Sequence, residues 1–344
     1  MDSRGATQGD LSASMEPSPL ERLAQACGQE FKHLMAARET TARGLEARRA
    51  KITELSVQPD VSVVLMGSWG REEVTSGSDD DYMILVNGAW RPEHEVDPSI
   101  EEVAKVLDVK PGREGLFGEI AYSDFLEKRI GLQEDDNNNL SRRMLLLLES
   151  QAILGEQSYR LAWKKVLDGY LRDTRKPRGA PRLLLNDIVR YWRTICVDFA
   201  GKQRKRRGEG WGIRNAKLRT SRKMLFAGGL LPVLECAPLT PEEILAFLEH
   251  RLRMPPTDRL AQSFLDAGAH DEGGRTLGAY DEFIGLLDSE SFRKALEALT
   301  RDNAAASEEF AEAHRLGGRI QSGLLALLFE TDTLPPLVRE YAIF

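Results

Sequence analysis

The chain has 344 residues, of which 42% are hydrophobic and 29% charged, and its formal net charge is −7. This length allows one to three domains with a sizeable core, and the negative charge argues against a protein that coats nucleic acid along its whole surface. Three widely separated cysteines and five scattered histidines lack metal-type spacing, which argues against a disulfide framework and a zinc site. Without a ~20-residue apolar run or a signal-peptide core, we expect a cytoplasmic protein with no membrane partner.

The N-terminal third of the chain predicts a small mixed α/β unit. Residues 1–18 are small, polar and unpatterned, and they predict a disordered tail. Apolar residues at helical spacing then alternate with β-branched apolar runs that end in turn residues. The predicted order is helix, strand, strand, helix and strand, over residues 19–55, 61–67, 81–86, 98–107 and 115–122.

From residue 124 almost to the end, the pattern is helical. The expected fold class is therefore α+β, with a small mixed sheet followed by a large α-helical domain. The predicted helices include residues 140–154, 159–173, 182–200, 212–226 and 238–253. We divide the chain into the tail (1–18), a core with an N-terminal helix (19–155), a helical domain that completes a cleft (156–237) and a C-terminal helical region (238–344).

The stretch GSWGREEVTSGSDDDYMIL, residues 67–85, carries the chemistry. Successive residues of a strand point to opposite faces, so Asp79 and Asp81 are expected to share one face while Asp80 points away. Two carboxylates on one face repel each other unless a cation lies between them. Carboxylate oxygens are hard ligands that suit Mg²⁺, or Mn²⁺ in its place.

The Gly-Ser pair at the end of the first strand predicts a phosphate site. Gly67 lets the backbone approach a phosphate closely. The Ser68 hydroxyl and nearby N–H groups can hold a terminal phosphate, especially if a helix begins at Ser68 or Trp69. The alternative is a plain turn followed by a solvated acidic loop, but the combination of strand, Gly-Ser, polar segment and Asp-x-Asp favours the site.

This pattern resembles the nucleotidyltransferase superfamily that includes DNA polymerase beta. Within it, the chain is similar to the branch of the nitrogen-regulatory-protein uridylyltransferases and the glutamine synthetase adenylyltransferases. That branch has the motif GS-x-GR-x-E-x-T-x-x-S-D-x-D, and the matching residues are Gly67, Ser68, Gly70, Arg71, Glu73, Thr75, Ser78, Asp79 and Asp81. The resemblance covers residues 60–125. The branch usually has a hydrophobic residue where this chain has Asp80, which we expect to contact solvent or a basic residue of the helical part.

The resemblance implies a two-metal transfer of a nucleotidyl group. It assigns nucleotide binding to Gly67, Ser68, Arg71 and Ser78, and metal binding to Asp79 and Asp81. A third carboxylate from a neighbouring strand is also implied, and Glu119 in the third predicted strand is preferred. The alternative, Asp124, precedes Glu127 by three residues, which is typical of a helix N-cap. The acidic run at 134–139 is expected to be a loop.

A basic segment follows at residues 201–223, with ten Lys or Arg and one acid. Its run at 202–207 is a solvated loop or an anchor for RNA or an acidic partner. In the helix predicted from residue 212, Arg214 and Lys217 fall within the apolar sector, where cations need a partner. They either reach the triphosphate and stabilise the leaving pyrophosphate or form ion pairs with the preceding helix, whose inward stripe is Asp187, Tyr191, Thr194 and Asp198. Tyr191 or Trp211 could stack on a base.

The sequence thus predicts an Mg²⁺-dependent nucleotidyltransferase that moves NMP from a nucleoside triphosphate to a hydroxyl of a protein side chain or an RNA end. Two alternatives stay open. One is a nucleotide-sensing regulatory protein that kept the fold without the chemistry. The other is a toxin–antitoxin or defence component whose region 240–344 docks a partner.

Overall fold

The sheet lies near the N-terminal end of the chain, in a computed structural model that describes residues 16–107, 116–172, 179–205 and 208–342. The described part contains a four-stranded sheet in the order β3-β2-β1-β4. Strand β1 pairs antiparallel with both β2 and β4, and β2 pairs parallel with β3. The strands are β1 (Val61–Met66), β2 (Tyr82–Val86), β3 (Ile120–Tyr122) and β4 (Ser150–Leu154).

Helices make up most of the remainder, which confirms the predicted α+β class. None of the helices in the described ranges is both long enough and apolar enough to cross a bilayer. The helices are α1 (Pro19–Cys27), α2 (Lys32–Ile52), α3 (Ile100–Leu107), α4 (Ser123–Lys128), α5 (Asn137–Leu148), α6 (Glu156–Leu171), α7 (Arg182–Lys205), α8 (Trp211–Arg219), α9 (Ser221–Glu235), α10 (Pro241–Arg253), α11 (Pro256–Asp266), α12 (His270–Asp288), α13 (Glu290–Glu297), α14 (Glu308–Phe329) and α15 (Leu334–Leu337).

Both faces of the sheet are covered, which explains why β1 reads as a continuous apolar run. Val64 and Met66 belong to a core that includes residues of α5 and α6. Val63 and Leu65 point the other way, into a core with residues of α2 and α3. Every residue of β1 and β2 is therefore buried.

The predicted helix over 140–154 was wrong in its second half. Helix α5 ends at Leu148, and Ser150–Leu154 forms β4 against the edge of β1. The change occurs at Glu149, whose φ of −150° and ψ of 54° leave the helical region. Strand β4 gives hydrogen-bond partners to the second edge of β1, and the unbroken apolar run from 144 to 148 hid the change of period.

Three further boundaries differ from the prediction. The segment 19–55 is interrupted at Gly28, a left-handed C-cap with φ 65°. The segment 212–226 divides at Thr220 into α8 and α9. Helix α5 begins at Asn137, with Asp136 accepting a hydrogen bond as its N-cap, so the predicted loop at 134–139 ends earlier than expected. Of the predicted tail, residues 1–15 lie outside the described residues, as do the predicted strand start at 115 and residues 206–207 of the basic run.

The N-terminal helix and the C-terminal helical region share one core. Leu20 and Leu23 of α1 cluster with Phe264 of α11, Leu277 of α12 and Leu231 of α9. This packing lays α12 beside the segment that follows β1. Two hydrogen bonds fasten it there, since the Ser76 N–H donates to Asp288 Oδ1 at 2.8 Å and the Ser76 hydroxyl donates to the Asp288 carbonyl at 2.9 Å.

Candidate functional site

A cavity of about 140 Å³ lies between the turn after β1, the start of β2, helices α8 and α9, and α12. Seven of the sequence-predicted site residues line it, namely Gly67, Ser68, Arg71, Ser78, Asp79, Asp81 and Lys217. Glu119 and Arg214 are not among its lining residues. The remaining lining residues are Glu73, Thr75, Gly77, Ser221, Arg222, Ile284 and Leu287.

The Gly-Ser turn is held by its own backbone and by close packing. Gly67 has a φ of +67°, which favours glycine, and its carbonyl accepts the Arg71 N–H at 3.0 Å. Gly70 packs directly on β4, because a Cβ there would lie 2.0 Å from the Glu149 carbonyl oxygen. The segment forms consecutive turns instead of the helix start that we considered. The N–H groups of Ser68 and Trp69 donate to no described residue, so they are available to a ligand.

The Thr-x-x-Ser part of the motif, Thr75 to Ser78, forms a second turn that two hydrogen bonds between these residues hold together. The Ser78 hydroxyl accepts the Thr75 N–H at 3.0 Å, and the Ser78 N–H donates to the Thr75 carbonyl at 3.0 Å. Ser78 thus shapes the approach to the aspartates. Ser78 also lines the cavity.

Arg71 lies inside a buried charge network. Its guanidinium donates to Glu73 Oε2 at 2.9 Å and to Glu149. Tyr280 donates to Glu73 at 2.7 Å, and Arg222 donates to Glu149 at 3.3 Å. Burial opposes the charge on Arg71, but Glu149 and Glu73 outweigh it and raise the pKa of the guanidinium. Arg71 therefore holds the turn in place and remains charged at the edge of the cavity.

The three successive aspartates have three different environments. Asp80 points away from the cavity and forms a two-pronged ion pair with Arg48 of α2, with both N–O distances 2.8 Å. Arg48 in turn lies over the ring of Trp69, 3.9 Å from its centre. The basic partner expected for Asp80 thus exists, but it comes from the N-terminal helix.

Asp79 and Asp81 both face the cavity, and neither forms an ion pair with a described residue. Asp81 lies at the Gly-Ser corner, since its Oδ2 would be 3.6 Å from a Cβ on Gly67. Burial raises the pKa of Asp81 to about 6, and repulsion from Asp79 and Glu149 adds to this against the opposing charge of Arg222. Neither carboxylate therefore has an ion-pair partner among the described residues, although Arg71, Arg222 and Lys217 line the same cavity.

This arrangement fits a divalent cation. Mg²⁺ is commonly bound by one or two carboxylates together with water and substrate phosphates, and Asp79 and Asp81 are two such carboxylates that form no ion pair with a described residue. Within the described ranges, no group of three or more His, Cys, Asp or Glu side chains is placed to hold a metal ion. The residues of the cavity thus fit an ion whose coordination a bound phosphate completes.

The two candidates for a third carboxylate are both engaged elsewhere. Glu119 immediately precedes β3 and accepts a hydrogen bond from Arg142 of α5, with 48% of its side chain exposed. Asp124 is the second residue of α4 and not its N-cap, so the capping prediction was wrong. Hydrogen bonds from Lys128 and Lys165 lower the pKa of Asp124. Neither carboxylate lines the cavity.

Lys217 is the cation that α8 brings to the cavity. Burial, followed by repulsion from Arg222 and Arg71, lowers the pKa of its ammonium group. It forms no ion pair or hydrogen bond with a described residue. The alternative of ion pairs with the stripe on α7 does not hold for Lys217, because Asp187 pairs with Arg143 and Arg190.

The aromatic residues considered for base stacking serve packing. Tyr191 is buried and donates its hydroxyl to Glu149 at 3.3 Å. Trp211 lies against Phe199 and Phe310, with ring centres 6.4 and 5.3 Å away. No base-stacking residue is therefore assigned.

Sequence reasoning missed Glu149, Arg222 and the helix α12. The sequence did contain an indication for Glu149. An acid at the end of an apolar run is expected to be buried, and a buried carboxylate needs a partner for its charge. Arg222 was counted in the basic segment without a role. Ile284 and Leu287 of α12 reach the cavity through folding of distant segments and had no local signal.

Comparison of the chain with protein-family models, with curated proteins and with solved structures finds no match. The motif and the geometry of the cavity are therefore the two grounds for a functional proposal.

Proposed function

We propose that the chain is an Mg²⁺-dependent nucleotidyltransferase that moves NMP from a nucleoside triphosphate to a hydroxyl group of a protein side chain or an RNA end. One observation carries this proposal. Asp79 and Asp81, neither of which forms an ion pair with a described residue, share a cavity with Gly67 and Ser68 of the turn and with the ammonium group of Lys217, and the Ser68 N–H has no hydrogen-bond acceptor among the described residues. A cation beside a phosphate-binding turn is what a triphosphate substrate requires.

Each side chain has a defined part in the reaction. Asp79 and Asp81 would hold Mg²⁺, or Mn²⁺ in its place, and the bound ion would supply charge stabilisation for the attacking and leaving oxygens. The Ser68 hydroxyl and backbone N–H would donate to the terminal phosphate. Lys217, which lines the same cavity, would stabilise the negative charge of the leaving pyrophosphate. Arg71 positions the turn through Glu73 and Glu149.

The transfer balances without a further co-reactant. The acceptor oxygen forms a bond to the α-phosphorus, and the bond from that phosphorus to the α–β bridging oxygen breaks. Pyrophosphate leaves with the electron pair, and the hydroxyl proton passes to solvent. In-line attack of this kind is promoted mainly by positioning and charge stabilisation.

The size of the cavity limits what it holds. Sites for drug-sized ligands usually enclose ~300–1,000 Å³, whereas this cavity encloses about 140 Å³. It accommodates the phosphates and the ion, and the nucleoside extends beyond it. The lining residues therefore recognise the triphosphate and not the base.

A nucleotide-sensing protein is the second candidate, and one observation favours it. Neither Glu119 nor Asp124 lines the cavity, so the carboxylate that would help to activate the acceptor hydroxyl is not in place there. Such a protein would bind a nucleoside triphosphate with Mg²⁺ and transfer nothing.

Incubation with α-labelled ATP, UTP, GTP and CTP distinguishes the two. The reaction contains Mg²⁺ and a lysate that supplies protein and RNA acceptors. Transfer of label by the wild type, lost in Asp79→Asn and Asp81→Asn but kept in Asp124→Asn, supports the transferase. Glu119→Gln shows whether that carboxylate contributes. Mg²⁺-dependent nucleotide binding without transfer or pyrophosphate release supports the sensor, and the absence of any such binding contradicts both.

A further inference from the structure

A second cavity, of about 250 Å³, lies on the other side of the Gly-Ser turn from the candidate site. We call it the arginine pocket because four arginines line it, from helices α2, α6, α10 and α11. Only two acids, Glu72 and Glu156, line it with them. The four are Arg49, Arg160, Arg253 and Arg259.

Arg259 is the central observation. Its side chain is 2% exposed, yet it forms no ion pair with any carboxylate of the described ranges. Its Nε donates to the Met254 carbonyl at 2.8 Å, and its Nη2 donates to the Leu148 carbonyl at 2.8 Å and to the Leu252 carbonyl. Its Nη1 is buried without a hydrogen-bond partner. A buried cation without a counter-ion is strongly unfavourable, and burial accordingly lowers the pKa of Arg259 to about 9.

Two of the other three arginines are also incompletely paired. Arg49 donates to the Ala152 carbonyl at 3.1 Å and has no acidic partner among the described residues. Arg253 is 3.8 Å from Glu249, which is a loose contact. Arg160 is fully paired with Glu156 at 2.6 Å. The pocket therefore presents positive charge that its own acids do not balance.

Glu72 is the other acid of the arginine pocket. Its carboxylate accepts a hydrogen bond from Gln151 at 3.1 Å, and burial raises its pKa, which disfavours the charged form. Its backbone has a φ of 57°, unusual for a residue other than glycine. This conformation belongs to the turn whose next residue, Glu73, lines the candidate site on the other side.

We propose that the arginine pocket binds a small anion that carries a phosphate or carboxylate group. Guanidinium groups match both oxyanions with two parallel hydrogen bonds, and Arg259 has a donor to offer. The pocket is smaller than the ~300 Å³ at which sites for drug-sized ligands begin, so a nucleotide does not fit within it.

The pocket is separate from the candidate site. No residue lines both cavities, and the turn between them divides its residues: Ser68, Arg71 and Glu73 face the candidate site, whereas Gly70 and Glu72 face the arginine pocket. An anion bound here is thus a second ligand and not part of the triphosphate. This inference does not depend on the proposed transfer.

Isothermal titration with inorganic phosphate and, separately, with succinate tests the proposal. The buffer contains no Mg²⁺ and has constant ionic strength, because surface arginines attract any anion weakly. The test variant is Arg49→Gln with Arg253→Gln, since both side chains are partly exposed and the core is untouched. Arg259 is left intact because its carbonyl contacts make misfolding the expected result of replacing it.

Two control variants complete the design. Arg319→Gln removes an arginine of similar exposure that pairs with Glu282 at 2.8 Å, away from both cavities. Lys217→Met removes the cation of the candidate site. We expect one saturable site for phosphate or succinate in the wild type and both controls, and at least tenfold weaker binding in the double variant. Absence of saturable binding of either anion to the wild type, equal affinity in the double variant, or loss of binding in Lys217→Met would overturn the proposal.

Discussion

Replacing Asp81 with asparagine should stabilise the metal-free protein at neutral pH. Burial and repulsion raise the pKa of this carboxyl from 3.8 to about 6. A shift of about 2 pKa units corresponds to about 3 kcal/mol of destabilisation of the charged form. Because the pKa is higher in the folded state, the free energy of unfolding should fall as the pH rises from about 4 to about 6 and then stay constant. Asp81→Asn lacks this slope.

Urea denaturation followed by tryptophan fluorescence, from pH 4 to pH 8 with and without Mg²⁺, measures the effect. Without Mg²⁺ at pH 7.5 we expect Asp81→Asn to exceed the wild type by up to ~3 kcal/mol, and the difference should vanish near pH 4. Mg²⁺ at a hundred times its dissociation constant should return ~2.7 kcal/mol to the wild type only.

The neighbouring Asp80 supplies a matched control of opposite sign. Asp80→Asn breaks the ion pair with Arg48, in which the Asp80 side chain is 4% exposed, so it should destabilise the protein with or without Mg²⁺. If Asp81→Asn proved less stable than the wild type in the metal-free protein, or if Mg²⁺ stabilised both equally, our interpretation of the aspartates would be refuted.

Three further substitutions test the surroundings of the site. Lys217→Met should lower kcat/KM for nucleotide transfer about 10²-fold, while Arg219→Met should not. Because burial lowers the pKa of Lys217, the wild-type KM should begin to rise at a pH below the usual pKa of a lysine side chain, as the ammonium group loses its proton. Glu149→Gln leaves Arg71 with one carboxylate, and urea denaturation should show a loss of about 3 kcal/mol. Gly70→Ala places a Cβ 2.0 Å from the Glu149 carbonyl and should cost ~1–3 kcal/mol together with nucleotide binding, whereas Gly88→Ala, which meets no atom within 4 Å, should leave the melting temperature unchanged.

The predictable part of the site is the part that is local in sequence. Gly67, Ser68, Asp79 and Asp81 are joined by one turn segment between two strands, so their spacing brings them together. The strand alternation that we expected for the two aspartates does not apply, because β2 begins at Tyr82. Lys217 was also within reach, because a cation inside the apolar sector of a helix signals a buried partner or ligand. Arg214 shared that signal and does not line the cavity. Residues three positions apart lie on the same side of a helix, so the sequence pattern alone did not distinguish the two.

The unpredictable part depends on contacts between distant segments. Tyr280 donates to Glu73 across 207 positions of the chain, and no periodic pattern in the sequence predicts such a pair. Strand β4 was hidden for a different reason. Its residues follow an apolar helix with only Glu149 between the two elements, so no turn residue marks the change from a period of 3.6 to 2.

The charges that the fold leaves unbalanced are the strongest indication of function. The side chains of Asp80 and Arg71 are also buried, but each forms an ion pair, with Arg48 and Glu73 respectively, and thereby has a structural role. Arg259 is buried and Asp81 is half-buried without an ion-pair partner among the described residues, and they carry opposite charges. They lie on the two sides of the same turn. Two consecutive residues connect the sides, because the Leu148 carbonyl accepts a hydrogen bond from Arg259 and the Glu149 carboxylate accepts one from Arg71. A cation bound at Asp81 and an anion bound at Arg259 would each lower the free-energy cost of removing an unpaired charge from water.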